Sequence, residues 1–334
     1  MTLEDLRRRG APSGRLGLGL AALGRPAYST LGHALDFPEG RSPAQLETRA
    51  HQVLDAAFAA GLRYVDAARS YGLAERFLRG WLEARAHRPG DLVVGSKWGY
   101  RYVGEWRLTA DRHEVKDHSL AAFRGQLVES QAALGPFLGL YQVHSVTVDG
   151  PLLGDAALLD ALAGLRDQGL PVGLTVSGPG QAAALERALS VQRGGAPLFA
   201  AVQATFNLLD RSCEAALQRA HDEGRLVIVK EPLANGRLTV RGDLGGGAGR
   251  AGGDVPLARL ADGAGVGPDA LALAFALSRS WADVVLLGAA SLDQLRSNLA
   301  APSVPPGAVE AAARQVAPVE PAAYWQQRAG LPWT

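Results

Sequence analysis

Cysteine and lysine are scarce in this chain of 334 residues, and strong net charge is absent. The one cysteine, Cys213, excludes an internal disulfide and any multi-cysteine metal site, a pattern that fits a reducing compartment. Of the 34 lysines and arginines only three are lysine: Lys97, Lys116 and Lys230. Genome composition produces such a skew, yet a lysine that persists in it can shift its pKa or fit a compact pocket, as arginine cannot. A formal net charge of +1 offers no basic field to nucleic acid. No apolar run approaches the ~20 residues needed to span a bilayer. The longest, Ala270 to Leu277, reads as a buried helix. Met1 to Gly14 is polar and arginine-bearing with no apolar stretch behind it. No secretory signal is therefore expected, the expected location is the cytoplasm, and neither membrane nor nucleic acid is an expected partner. Hydrophobic content of 47% against 20% charged residues is that of a globular protein with a large core.

What the chain does have is alternation. Short apolar runs suited to strands lie at Leu16–Leu20, Tyr64–Ala67, Leu92–Ser96, Leu138–Val143, Val172–Val176, Phe199–Gln203, Leu226–Val229 and Val284–Leu287. Helix-like segments separate them: Pro43–Ala60, with Ser42 as N-cap, then Leu73–Ala86, Ser119–Leu134, Asp155–Gln168, Gln181–Val191, Ser212–Glu223, Pro268–Ser280 and Leu292–Ala300. Strict alternation of eight strands with eight helices predicts a parallel sheet. Uniformly apolar strands fit helices covering one side while the sheet closes on the other. The expected fold is α/β, a (β/α)8 TIM barrel in one domain over residues 1–334, with a doubly wound open sheet second. Long loops are expected after strand three (Gly99–Asp117) and strand seven (Ala234–Asp254), with a C-terminal tail from Pro302 that ends in a helix at Val309–Gln327.

Barrels of this kind place their chemistry at the C-terminal ends of the strands. Asp66 and Tyr71 follow strand two, Lys97 follows strand three and His144 follows strand four, so all would face one mouth. Each alone has an ordinary explanation: a helix cap, a half-buried aromatic, a satisfied core histidine. Their clustering on consecutive strands, with a scarce lysine among them, asks for a joint one. The segments are Val65-Asp66-Ala67-Ala68-Arg69-Ser70-Tyr71-Gly72 with Glu75 following, Val94-Gly95-Ser96-Lys97-Trp98-Gly99, and Leu140-Tyr141-Gln142-Val143-His144-Ser145. In this order they resemble the motifs of the aldo-keto reductase family, and the resemblance runs over nearly the whole chain. It implies a catalytic tetrad of Asp66, Tyr71, Lys97 and His144, and hydride transfer between a nicotinamide cofactor and an aldehyde, ketone, sugar or alcohol carbon.

Those residue types suit that chemistry. Hydride delivery to a carbonyl builds negative charge on oxygen, which needs a proton donor and fixed dipoles. A tyrosine hydroxyl near its reference pKa of about 10 is a poor donor or base at neutral pH. A nearby ammonium lowers that pKa, the role expected of Lys97, with Asp66 holding the ammonium and His144 bonded to the substrate oxygen. The oxidative direction, as an aldose or alcohol dehydrogenase, stays open. So does a cofactor-binding, redox-sensing subunit on the same fold.

By the same resemblance Ser177 and Gln203 would hold the nicotinamide carboxamide, although Gly178 stands where the family carries asparagine. Lys230 and Leu233 lie in the seventh-strand segment where an aromatic normally stacks on nicotinamide. The Lys230 cation is expected to meet an acidic group on substrate or cofactor, or Glu231. Gly288, Ser291, Gln294 and Asn298 would hold the adenosine end, at a helix N-terminus suited to phosphate. NADP-selective members carry basic residues at the positions of Gly288 and Gln294. NADP(H) is placed ahead of NAD(H), with dual use open.

Other signals carry less. Gly247-Ala248-Gly249-Arg250-Ala251-Gly252 spells a dinucleotide fingerprint but follows no strand, so it reads as a glycine loop, a flap over the cofactor pyrophosphate. His113 and His118 with Glu114 and Asp117 lack helical ligand spacing, and no metal site is expected. Trp98 and Trp106, with Tyr100 and Tyr102 near them, are expected to form an aromatic wall beside the substrate. Oligomeric state is not legible.

Overall fold

The computed structural model describes residues 1–242 and 257–334. The fingerprint-like Gly247–Gly252 stretch and its expected flap lie outside the described residues. Eight parallel strands close into a barrel: Leu16–Gly19, Tyr64–Asp66, Val93–Trp98, Leu138–Val146, Val172–Val176, Ala201–Thr205, Leu226–Lys230 and Val284–Leu287. The ring closes where the first strand pairs with the eighth (Leu16 opposite Val285) and with the second (Leu18 opposite Val65).

Helices seal the outside. Pro43–Ala59 starts as the sequence predicts: the Ser42 hydroxyl accepts from Gln45 N, the Gln45 side chain reaches back to the Ser42 amide, and Pro43 sits where no intrahelical donor is needed. One face of this helix buries Leu46, Ala50, Val53, Leu54 and Ala57 against the sheet. Pro268–Leu277 is buried at every position but Asp269, which accounts for its apolar composition. Among the described residues no single helix is long and apolar enough to cross a membrane.

Residues two apart on a strand share a face, and this sets the barrel's interior. Tyr64, Leu140, Ala201, Leu226, Ile228, Val284 and Leu286 form an apolar cluster, joined by Leu6 of a short helix, Leu3–Arg7, that the sequence reading lacks. One step further toward the C-terminal ends, the same faces carry Asp66, Gln142, Gln203 and Lys230, with Lys97 in register beside Gln142. The barrel therefore has an apolar floor and a polar mouth.

Three expectations change in detail. The loop after the third strand folds into an antiparallel hairpin, Tyr100–Tyr102 against Glu114–Lys116. The tail carries two helices in place of one, Pro306–Gln315 and Pro321–Ala329. Pro318 and Pro321 cannot donate backbone hydrogen bonds, so the periodic pattern cannot run through them as one helix. A further helix, Leu257–Gly263, follows the region expected as loop.

Candidate active site

Asp66 and Lys97 form the buried base of the mouth. Lys97 Nζ donates to Asp66 Oδ2 at 2.5 Å and to the Ala67 carbonyl at 2.8 Å, with the lysine side chain fully shielded from solvent. The other carboxylate oxygen accepts from the Tyr64 hydroxyl (3.1 Å), Gln142 Nε2 (3.4 Å) and Gln203 Nε2 (3.2 Å). Burying a charge is costly unless it is paired and hydrogen-bonded, and this carboxylate is both. Gly95 makes room for the arrangement, because a Cβ there would strike the Tyr64 hydroxyl. The sequence reading did not identify Tyr64 or Gln142; inward placement two residues from Asp66 and from His144 was the available signal.

Tyr71 is set by backbone packing. A Cβ at Gly24 would collide with the Tyr71 carbonyl, and Gly24 O accepts from Leu73 N at 2.7 Å. Gly72 turns the chain with φ +60, a conformation that costs most residues 1–2 kcal/mol on the order of magnitude. The ring lies 4.7 Å from Lys97 Nζ and 5.1 Å from the Arg25 guanidinium, and meets the His144 ring edge-on at 5.6 Å. His144 Nδ1 is 3.5 Å from Ser70 Oγ. Asp66, Tyr71, Lys97 and His144 are thus brought together.

The electrostatics differ from the expectation in one respect. Burial pushes the Tyr71 phenol well above its ordinary value, the charge of Asp66 adds to this, and Arg25 opposes it. Lys97 faces Asp66 and is itself shifted down by burial, against the pull of Asp66. The surroundings therefore keep Tyr71 proton-bearing instead of easing its ionisation. Burial, followed by the charges of Lys97 and Lys230, holds His144 well below its usual range, so its imidazole is neutral at neutral pH.

These groups open onto a cavity of about 710 Å³, within the range of small-molecule sites. Its lining includes Asp66, Tyr71, His144, Ser177, Gln203, Lys230, Leu233, Gly288, Gln294 and Asn298. The expected wall of Trp98 and Trp106 is not there. Trp98 points outward from its strand and is fully buried against Phe123 (5.0 Å between ring centres). Trp106 donates its indole N–H to the Arg41 carbonyl and packs on Phe77. Tyr28, Tyr100, Trp325 and Trp333 line the cavity in their place. Trp333 comes from the C-terminal tail, stacked on His113 with ring centres 4.5 Å apart, while Thr334 and Tyr28 exchange backbone hydrogen bonds at 3.3 Å. Contacts so remote in sequence leave no local pattern to read.

Lys230 does not pair with Glu231. Its ammonium donates to Thr205 Oγ1 at 2.9 Å, the residue opposite it in the strand register. Glu231 is gripped by Arg328 of the tail, whose Nη2 donates at 2.5 Å and whose Nε donates to both carboxylate oxygens at 2.9 and 3.0 Å. Arg25, also lining the cavity, is paired with Glu114 at 2.6 Å.

The far end of the cavity suits an extended polar ligand. Gln294 Nε2 donates to Asp36 Oδ1 at 2.7 Å and Arg241 pairs with the same oxygen at 2.6 Å, joining three separate segments. The Ser291 hydroxyl is spent capping the helix Leu292–Asn298 by accepting from Gln294 N, and Ser291 is not part of the lining, contrary to expectation. Asn298 lines it, with its amide on Asp269 at 2.6 Å. Nε2 of fully buried His33 and Asn235 Oδ1 lack a hydrogen-bond partner although both residues line the cavity, while His33 Nδ1 faces Asp36 Oδ2 at 3.5 Å. Open space lies where a Cβ would stand at Gly178 and Gly288. Orphaned polar atoms and glycine-lined space beside a 710 Å³ cavity fit a dinucleotide. Gly178 has φ +89, which asparagine would adopt only with strain.

Comparison with known proteins agrees. A sequence model of the aldo/keto reductase family matches residues 15–309. Protein tas of Escherichia coli (strain K12) is 26% identical over 315 residues, covering 81% of this chain and 88% of its own. Protein tas of Shigella flexneri matches to the same extent. The solved holo form of an aldo-keto reductase from Bacillus halodurans shares the fold with a TM-score of 0.66 at 21% identity, over 92% of this chain and 95% of its own. With the match spanning every strand of the barrel, the chain belongs to the aldo/keto reductase family and is an NAD(P)-dependent oxidoreductase.

Proposed function

We propose that this chain, as one catalytic domain, interconverts an aldehyde, ketone or sugar carbonyl with the corresponding alcohol, with Tyr71 as the proton donor and acceptor. The observation that carries this is the meeting of Tyr71, Lys97 and His144 at one end of a ligand-sized cavity, with the Tyr71 ring 4.7 Å from the ammonium and 5.6 Å from the imidazole.

A bound nicotinamide cofactor supplies the hydride. Ser177, Gln203 and Leu233 would hold its reactive end, and Gly288, Gln294 and Asn298 its adenosine end, with His33 and Asn235 offering the unpartnered polar atoms between. Gln203 is already tied to Asp66, so it would link the carboxamide to the buried ion pair. Neutral His144 orients the carbonyl oxygen as a hydrogen-bond donor that brings no charge of its own. Tyr71, kept proton-bearing by burial, delivers its proton to that oxygen as negative charge develops there. The Lys97 ammonium, fixed by Asp66 and the Ala67 carbonyl, then stabilises the phenolate that remains. A phenol held in its acid form suits proton delivery in the reductive direction.

Of the two cofactors the sequence favours NADP(H). At the far end of the cavity the described cation is Arg241, bonded to Asp36, beside Asp269 and Asp293. Parallel NADH and NADPH titrations by fluorescence decide the preference, and a margin for NADPH that vanishes in Arg241→Met supports the sequence reading. The proposed reaction is tested by a carbonyl panel with Tyr71→Phe as comparator. Turnover should fall about a hundredfold or more with cofactor binding retained. Equal turnover in the variant removes Tyr71 from the chemistry.

A further inference from the structure

The charges around the reacting groups do not cancel. Asp66 is matched by Lys97, Glu114 by Arg25, and Glu231 by Arg328. Lys230 is left over. Among the described residues no carboxylate lies within ion-pair distance of it, and its hydrogen bond goes to the neutral hydroxyl of Thr205, whose own proton is directed to Glu231 Oε2. An ammonium has three N–H groups, so at least one remains to serve a ligand. It lines the same cavity as Tyr71 and His144, with Trp325 as a wall 5.6 Å from ring centre to Nζ. Its charge also helps to keep the His144 imidazole neutral. Its nearest opposing charge, Glu231, is shared with Arg328, so the two cations outnumber the one carboxylate, and a bound anion offsets the excess.

We propose that Lys230 is the specificity residue for a substrate carrying a carboxylate near its carbonyl, so that the preferred substrates are oxo-acids or sugar acids. This rests on the carbonyl-reducing reading above. A single excess positive charge matches a carboxylate better than a doubly charged phosphate. The Thr205 hydroxyl, itself bonded to Glu231, fixes the ammonium on one side, so the carboxylate meets a positioned cation and the carbonyl falls to Tyr71 and His144. In this arrangement Arg328 acts as a positioning residue: by holding Glu231 it prevents Glu231 from neutralising Lys230.

The test compares 4-carboxybenzaldehyde with its neutral isostere 4-formylbenzamide, using the full chain with NADH and with NADPH. Wild type should prefer the acid in kcat/KM by about tenfold or more, carried mostly by KM, as a charge-assisted hydrogen bond gives. In Lys230→Met the acid-to-amide ratio should fall at least tenfold. Lys230→Arg should keep part of it. An acid preference absent from wild type, or a ratio unmoved in Lys230→Met, overturns the proposal. So does a ratio left intact while the variant alters the affinity for NAD(P)+ relative to NAD(P)H, since the cation then serves the cofactor. Equilibrium binding of the two probes, followed by tryptophan fluorescence, needs no turnover. If neither probe nor any carbonyl is reduced, the reading of the site as a carbonyl reductase fails, while the binding ratio still decides the role of Lys230.

Discussion

Replacing Arg328 by methionine removes one partner of a partly buried ion pair and leaves the other in place. Arg328 grips Glu231 through contacts of 2.5 to 3.0 Å, with side-chain exposures of 29% and 9%. Stranding one member of a buried pair costs ~3–5 kcal/mol. The exposure of Arg328, and the nearness of Lys230 as a substitute partner, place this case at about 3 kcal/mol. At ~2.1 cal/mol/K of unfolding entropy per residue, a chain of 334 residues loses about 4 °C in Tm. The pH dependence gives a sharper check. Burial pushes the Glu231 carboxyl up, but Arg328 and then Lys230 outweigh it and hold the group well below the usual carboxylate range. Such a group stabilises the fold above the unfolded pKa of about 4.3, and the contribution is lost as pH falls through the folded value. The deficit of Arg328→Met should therefore be full at pH 7 and shrink below about pH 4. Differential scanning fluorimetry across pH measures it. A deficit under about 1 °C at neutral pH, or one independent of pH, refutes the reasoning.

Other expectations follow from the same geometry. Asp66→Asn leaves fully shielded Lys97 without a counter-charge and should destabilise by roughly 3 kcal/mol or more in urea unfolding; an unchanged midpoint would contradict the pairing. Gly24→Ala drives a Cβ into the Tyr71 carbonyl, and should lower kcat by on the order of a hundredfold while far-ultraviolet circular dichroism stays native. Undiminished turnover in that variant sinks the idea that this contact positions Tyr71. Burial lowers His118 to about 4, although its bond to the His144 carbonyl resists the shift. Its contribution is full above the unfolded pKa of about 6.5 and should fall by on the order of 2 kcal/mol between pH 6.5 and 5. His118→Asn should flatten that part of the stability profile, and an identical slope would remove His118 as its source.

The barrel was legible because its signals are local. Apolar runs, the Ser42–Pro43 start and the alternation of elements lie within short windows, and the strands fall within a few residues of their expected places. Asp66, Lys97 and His144 were legible for the same reason, since a polar residue at the end of an apolar strand is conspicuous. Trp98 was misplaced by a periodicity that the sequence does contain. Lys97 faces into the barrel, so its neighbour Trp98 must face out, where it is buried against Phe123. The expected single tail helix ignored Pro318 and Pro321, whose missing amide hydrogens decide the matter.

What stayed illegible is the pairing of charges across the chain. Arg25 meets Glu114, Glu231 meets Arg328, and Asp36 meets Gln294 and Arg241, each through segments that only the closed ring brings together. Folding imposes such pairs wherever ionised groups leave water, because an unpaired buried charge costs several kcal/mol. A mouth crowded with charges is therefore informative through its remainder after pairing. Glu231 shows how deliberate the pairing is: it adopts φ +53, unfavourable for a residue with a Cβ, while Arg328, Thr205 and the Asn207 bond to its carbonyl fix it there. In an ordinary extended conformation Glu231 would alternate to the face opposite Lys230; its positive φ departs from that alternation, and Arg328 and Thr205 hold the carboxylate where the turn places it. The turned backbone and the tail arginine hold the carboxylate, and Lys230, bonded to Thr205, keeps its ammonium on the wall of the same cavity as Tyr71 and His144.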